Sequence, residues 1–424
     1  MKLNPTAIPP GTRTYLFEEA SYKRFIEDAI HIVLRSRGFQ EIVTPPFEYH
    51  ESAIVGLNED ERNRLIRFTE ADSGRIIALR ADVTSQVARS AATHLSSRPL
   101  PLRLCYSGMV FRRARKGQGE QYVFNQSGFE IIGSSGYETD TETILSLTDV
   151  LWETGFSKFS ISLGHAGFIA SFLEGFSEAD AEKIKRSLGK KDKTELEKIL
   201  ASLSVEKGRS ERIVALASLF GNGDVLTKAE GIAVTEGSKK ALYNLKSVYA
   251  KLEEAGLAEM VTIDLGEMRG FGYYTGINIE VFSPSGISVG HGGRYDNLVK
   301  RFGADLPAVG FAFDIDSLIE AARAESLLPE WRGSDILVLA DGDEAEDAVF
   351  DLRESGANVT VPFGEMKKDE GKEYARRMNI PLILLPGKGE GEFNVLDVNS
   401  GKEQKVAGDE LVKYLVSMNI VEDL

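Results

Sequence analysis

What most constrains the fold of this chain is an apolar rhythm that changes and then returns. From Arg75 to Gly133 apolar residues come in short runs (RIIAL, LRLCYSG, MVFRR, YVFNQSGFEIIG) separated by charged loops, the pattern of an antiparallel sheet. Residues 165–258 are instead mostly helical, with clusters such as EADAEKIKRSLGKKDKTELEKILASL and SKKALYNLKSVYAKLEEAGL. Strand runs then resume as MVTIDLG, YYTGINIEVFSP and ISVGHGG, and residues 307–324 read as a buried strand entering a helix. A sheet interrupted in this way is assembled from both sides of a helical insertion. The expected division is therefore 1–164 with 259–328 as one α+β domain and 165–258 as the insertion.

The flanks follow the same logic. Residues 15–36 place Phe17, Phe25, Ala29 and Val33 on an amphipathic helix, with Gly38 at the expected stop. IVTPPFEYHE reads as a short strand broken by Pro45 and Pro46, and residues 139–154 as a helix. From about residue 333 strands and helices alternate (ILVLA, EAEDAVFDLRESG, NVTVPF, KKDEGKEYARRMN, PLILLPG), which predicts a small α/β domain over 333–424. Trp331-Arg332-Gly333 is the expected linker. No period of 20–50 residues recurs, which excludes a solenoid.

Composition narrows the class. Of 424 residues 42% are hydrophobic and 27% charged, the balance of a globular chain. No run of 18 apolar residues exists, and the opening MKLNPTAIPPGTRTY lacks a signal-like apolar stretch, so the expectation is cytoplasmic, with no membrane partner. The single cysteine, Cys105, excludes disulfide stapling and multi-thiolate metal sites, and the five histidines show no metal-ligand spacing. We therefore expect neither metal nor cofactor. A net charge of −15 argues against a broad nucleic-acid-binding face.

Three clusters carry candidate chemistry. FRRARKGQGEQYVFNQSGFE, Phe111 to Glu130, crowds Arg112, Arg113, Arg115 and Lys116 at a strand end and the loop after it, where guanidinium forks suit phosphate. A solvated basic loop would look the same. In MRGFGYYTGINIEV, Arg269, Tyr273 and Tyr274 stand among Gly270, Gly272 and Gly276, which permit close backbone approach. In GHGGRYDNLVKRFGADLPAVGFAFDIDSL, Gly292 and Gly293 before Arg294 fit tight strand packing or a ligand. A fourth glycine cluster, GKGEGEF, lacks the strand–helix setting of a dinucleotide loop.

Taken in this order, the clusters resemble the histidyl-tRNA synthetase family over about residues 8–325, with a weaker match in the tail. RGFQEIVTPPFE resembles the dimer-forming first motif of class II synthetases, LRADVTSQVAR the amino-acid-binding segment, and FRRARKGQGEQYVFNQSGFE the second motif. RGFGYYTG and GGRYD are similar to two histidine-specific signatures. The resemblance implies a class II synthetase-like antiparallel sheet flanked by helices, followed by a tail resembling an anticodon-binding domain. It also implies a histidine pocket of Asp82, Thr84, Arg112, Gln126, Glu130, Arg269, Tyr273 and Tyr274. Asp82, Thr84 and Gln126 fall where the family holds the amino group, with Asp82 shorter than the usual glutamate. Glu130 and Tyr274 match the positions that read the imidazole, and Arg269 the one facing the carboxylate.

The nucleotide half departs from the family. Its third motif ends in an arginine that clamps the triphosphate, and the aligned stretch here is Asp314-Ile315-Asp316-Ser317, with Ser317 in that place. In the second motif the expected glutamate is Ala114, two arginine positions carry Glu120 and Tyr122, and the usual histidine is Asn125. Removing one preorganised charge donor can lose ~10²–10³ in rate. This pattern resembles the regulatory subunits of ATP phosphoribosyltransferase, paralogues that keep the pocket without the reaction. The expectation is thus a chain with no catalytic residues, a homodimer, bound to free histidine and to a short-form catalytic subunit that opens histidine biosynthesis. The alternative is an active or divergent histidyl-tRNA synthetase. Residues 333–424 hold 20 acidic against 10 basic side chains, a net of −10, which opposes tRNA as a partner.

Overall fold

The structure is a computed structural model that describes residues 6–113, 121–266, 273–389, 391–418 and 420. It divides into two units, Met1–Thr14 with Tyr22–Leu328, and Tyr15–Ser21 with Pro329–Leu424. The first helix, α1 (Phe17–Ser36), ends before Gly38, which takes φ +80°. Its apolar stripe matches the expected one in part, at Ala29 and Val33. Phe17 and Phe25 are 66% and 42% exposed, whereas the i, i+4 row Tyr22, Ile26, Ile30 and Leu34 is buried with Val33. The packed stripe is centred on Ile26 and Ile30 and takes in Ala29 and Val33, the C-terminal half of the expected row.

In the first unit nine strands form one sheet among the described residues. They are β1 (Gln40–Glu41), β2 (Leu102–Phe111), β3 (Val123–Ile132), β4 (Ser160–His165), β5 (Phe220–Gly221), β6 (Val261–Asp264), β7 (Ile277–Phe282), β8 (Ser288–Arg294) and β9 (Ala308–Asp314). Their order is β1-β2-β3-β9-β8-β7-β4-β6-β5. The central pairings from β2 to β4 are antiparallel. The β1–β2 and β4–β6 pairs are parallel, so the sheet is mixed at its edges.

Three local readings change. LRLCYSG and MVFRR are one strand, β2, and RIIAL leaves the large sheet. Its residues Ile76–Leu79 pair instead with Phe47–Tyr49 and Arg67–Thr69 in a separate three-stranded sheet, because Pro45 and Pro46 turn the chain away after β1. The block after β4 is helical, yet Phe220–Gly221 within it adds β5 to the large sheet.

Helices α2 (Thr84–Ala92), α3 (Tyr137–Glu153), α4 (Glu236–Glu254) and α5 (Ile315–Ala324) belong to this unit, and α2 and α5 among them pack on the strands that carry the site. α2 buries Val87, Ala88 and Ala91 in one apolar cluster with Leu102, Leu104, Val110, Ile132 and Leu298. Each fully buried Leu, Val or Ile contributes about 1.5–3 kcal/mol, so α2 and the Thr84 and Asp82 at its start are firmly held.

The second unit is an α/β module. β10 (Ile336–Val338) pairs in parallel with β11 (Val359–Thr360) and β12 (Leu382–Pro386). Two further strands, β13 (Glu392–Asp397) and β14 (Glu403–Ala407), continue it antiparallel. GKGEGEF is the turn joining β12 to β13. Gly387 N–H donates to the Glu392 carbonyl at 2.9 Å, and Gly391 sits at φ +70°. That cluster is hairpin chemistry, with no helix behind it to receive a phosphate.

Candidate functional site

The site lies on one face of the central strands and is organised by register. Opposed residues of antiparallel strands point to the same side, and one cross-strand row reads Leu104, Glu130, Gly310, Gly293, Asn278, Gly164. Beside Glu130 the sheet therefore carries no side chains for two strands. A small cavity of about 10 Å³ lies there, lined by Thr84, Gln126, Glu130, Tyr273, Tyr274, His291, Gly292, Tyr295, Gly310, Phe311 and Ala312. That is room for about one water molecule, so a larger ligand enters only as the lining side chains move.

Glu130 is its centre and is 1% exposed. Three hydroxyls donate to its carboxyl: Tyr295 at 2.5 Å, Thr84 at 2.8 Å and Tyr106 at 3.3 Å. Burial dominates the electrostatics and pushes the Glu130 carboxyl up to about 8, against those hydroxyls, which favour its charge. Burial also raises Asp82, which lies in the loop before α2. The Asp82 carboxylate accepts the Ser85 N–H at 3.0 Å and the Tyr273 hydroxyl at 3.4 Å. Gln126 is buried, and its Oε1 has no hydrogen-bond partner. Tyr273 stacks edge-on with both Tyr274 and Tyr295, at 5.2 and 5.7 Å between centroids. Burial pushes the His291 ring down to about 4.

The expected site residues are thus largely brought together. Thr84, Gln126, Glu130, Tyr273 and Tyr274 line the pocket, and Asp82 touches it through Tyr273. Thr84 meets Glu130 directly. Arg112 stands at the strand end, with its guanidinium over the Phe124 ring at 4.7 Å and Nη1 donating to the Ala81 carbonyl at 3.3 Å. Arg269, Gly270, Gly272, Ala114, Arg115, Lys116 and Glu120 lie outside the described residues. Sequence reasoning missed Tyr106, His291 and Tyr295. The last two sit inside GHGGRYD, whose glycines drew attention away from the residues flanking them, while Tyr106 carries no motif at all. The arginine of that motif has a structural place. Arg294 is buried, pairs with Asp140 at 2.8 Å and Asp296 at 3.1 Å, and donates to the Ser134 and Gly136 carbonyls.

Beyond the pocket, the start of α5 is occupied by the chain's own acids. Asp314 caps the helix by accepting the Ser317 N–H at 2.9 Å. Asp316 pairs with Arg13 at 2.5 Å and accepts from the Asn125 backbone and side chain at 3.3 Å. A helix N-terminus attracts anions, and here two carboxylates have already taken that place.

The fold and this pocket define a class II synthetase-like protein. The family model for histidyl-tRNA synthetase matches residues 11–318, and the chain belongs to that family. Within it, the chain is 34% identical to the ATP phosphoribosyltransferase regulatory subunit of Geobacter sulfurreducens, over 98% of this chain and 97% of that one. It is also 33% identical to the histidine–tRNA ligase of Pyrococcus abyssi, over 95% and 96%. A solved structure described as an ATP phosphoribosyltransferase regulatory subunit/histidyl-tRNA synthetase from Bacillus halodurans C superimposes with a TM-score of 0.77 at 28% identity, covering 88% of this chain and 97% of that one.

Proposed function

We propose that the protein is a non-catalytic regulatory and activating subunit of ATP phosphoribosyltransferase, binding free histidine and acting on a short-form catalytic partner in the cytoplasm. One observation carries this reading. A small cavity built around the buried Glu130 carboxyl stands beside a helix start whose anion-attracting end is taken by Asp314 and Asp316, one of them ion-paired to Arg13. The acids of the cavity suit an ammonium and a basic ring, whereas a triphosphate meets like charge at the helix start. The ligand's ammonium faces Asp82 and its carboxylate Arg269, while Glu130 and Tyr274 read the ring. Thr84 and Tyr273 hold the two carboxylates, and Arg112 and Gln126 complete the wall.

A homodimer forms through the segment around Val43 to Glu48. Phe47, Tyr49 and Phe68 are about half exposed and share one face of the three-stranded sheet. The acidic 333–424 unit is repurposed and takes no tRNA.

The second reading, a histidyl-tRNA synthetase, is favoured by the family model and by the Pyrococcus abyssi relative. Histidine-dependent exchange of pyrophosphate into ATP separates the two. We expect none, together with calorimetric binding of histidine and co-elution with a short catalytic phosphoribosyltransferase. Exchange at an enzyme-like rate, about 1–10³ per second, would establish the synthetase instead.

A further inference from the structure

This inference rests on the reading of the pocket as a histidine site and concerns the state in which the ring is held. Among the described residues, the hydrogen-bond partners of Glu130 are three hydroxyls, Thr84 from α2, Tyr106 from β2 and Tyr295 after β8. A buried carboxylate needs more than hydroxyls, because removing an ion from water costs several kcal/mol without a counterion. Among the described residues, the groups that face it do not supply one. Facing it are Asp82 from the loop before α2, Tyr273 and Tyr274 before β7, and His291 from β8. Asp82 adds like charge. The tyrosines are held well above their usual range by burial, and the His291 ring is neutral above about 4. Arg112, at the end of β2, is engaged with Ala81 and Phe124.

We propose that in the empty site Glu130 holds a proton, and that the imidazole of bound histidine takes it, so that the ligand is held as an imidazolium against a Glu130 carboxylate. The step balances without a co-reactant. The carboxyl O–H breaks, the lone pair of the unprotonated ring nitrogen forms the new N–H, and the charges created are +1 on the ring and −1 on Glu130. Thr84, Tyr106 and Tyr295 already donate to the carboxyl oxygens and stabilise the anion as it forms. Tyr106 and Tyr295 are thus positioning residues. The site then selects a basic ring, and amides of similar outline such as glutamine are rejected because they cannot take the proton.

The proton affinities of the two partners are close: about 8 for Glu130, and roughly 6.5 for a free imidazole. Binding therefore exchanges no proton with solvent between those values. Below them the ligand arrives protonated and Glu130 releases its proton. Above them Glu130 is already ionised and binding takes one proton up.

The test is calorimetric titration with L-histidine from pH 5.5 to 9 in two buffers of unlike ionisation heat, repeated with 2-fluorohistidine, a ring of nearly the same shape and far weaker basicity. Expected are release at low pH, uptake at high pH, and at least tenfold weaker binding of the fluorinated ligand. Tyr295→Phe should move the uptake limb to higher pH, because Glu130 loses a donor to its anion; a merely structural role would leave that limb in place. Equal affinity for the two ligands, or a proton count unchanged with pH, overturns the proposal. No histidine binding at millimolar concentration overturns the pocket assignment instead. In that event the carboxyl ¹³C signal of Glu130 in the free protein, assigned with Glu130→Gln, still decides its protonation, and titration near 4.5 would refute the proton held in the empty site.

Discussion

Gly310→Ala probes the central packing of the site with one methyl group. A Cβ at this position would stand 2.5 Å from Cδ of Glu130, and closer still to its Oε2 and to the Phe129 carbonyl oxygen. The first obstacle is a side chain and can swing. The second is backbone of β3, paired with β9 in register Gly310–Glu130, and yields only if the strands part. Overpacking of this kind costs typically about 1–3 kcal/mol. Displacing the Glu130 carboxyl also breaks its 2.5 Å bond from Tyr295, adding about 0.5–1.5 kcal/mol for a neutral bond. The expected destabilisation is therefore about 2–4 kcal/mol, read from urea unfolding of the purified protein, with histidine binding lost. A double-mutant cycle with Glu130→Ala locates the cause: the glycine substitution should cost less in that background, because the side-chain obstacle has gone while the carbonyl remains. A Gly310→Ala protein within 0.5 kcal/mol of the parent, with its ligand affinity intact, would refute the proposed crowding between β3 and β9.

Three more outcomes are expected. Because Glu130 is raised from 4.5 to about 8 by burial, the folded state binds its proton more tightly than the unfolded state; its contribution is present below about 4.5 and is lost as pH rises toward about 8, at up to roughly 1.4 kcal/mol per pH unit. Unfolding of Glu130→Gln across that window should lack this slope, and parallel curves would contradict it. Arg294→Ala leaves Asp140 buried and unpaired, and should cost about 3–5 kcal/mol in chemical denaturation. Phe47→Asp places a charge on the half-exposed face of the three-stranded sheet, and sedimentation at micromolar concentration should show monomer where the parent shows dimer.

Much of the architecture was legible because apolar periodicity reports burial directly. The strand runs, the helical block and the alternating tail all follow from which residues avoid water. The misreadings share a cause. On α1 Ala29 and Val33 are buried as expected but Phe17 and Phe25 are not, and nothing local says where the packed stripe is centred. RIIAL has the composition of a strand, yet composition does not say which sheet it joins, and Pro45 and Pro46 decided that by turning the chain. The resemblance to histidyl-tRNA synthetases placed Glu130, Gln126 and Tyr273 in one pocket before any geometry was known, because motif order survives where contacts are invisible.

What the sequence determined by itself is the inventory: which segments have strand or helix character, and where the glycine-bearing clusters lie along the chain. Tertiary structure alone decided the environment of that inventory. Glu130 meets Thr84, Tyr106 and Tyr295 across separations of 46, 24 and 165 residues, and no spacing rule links them. The glycine pair beside it is equally invisible in one dimension, since Gly310 and Gly293 become neighbours only through strand register. A carboxyl group has the same chemistry anywhere in a chain. Its proton affinity is set by how much water the fold removes and which donors the fold leaves in its place.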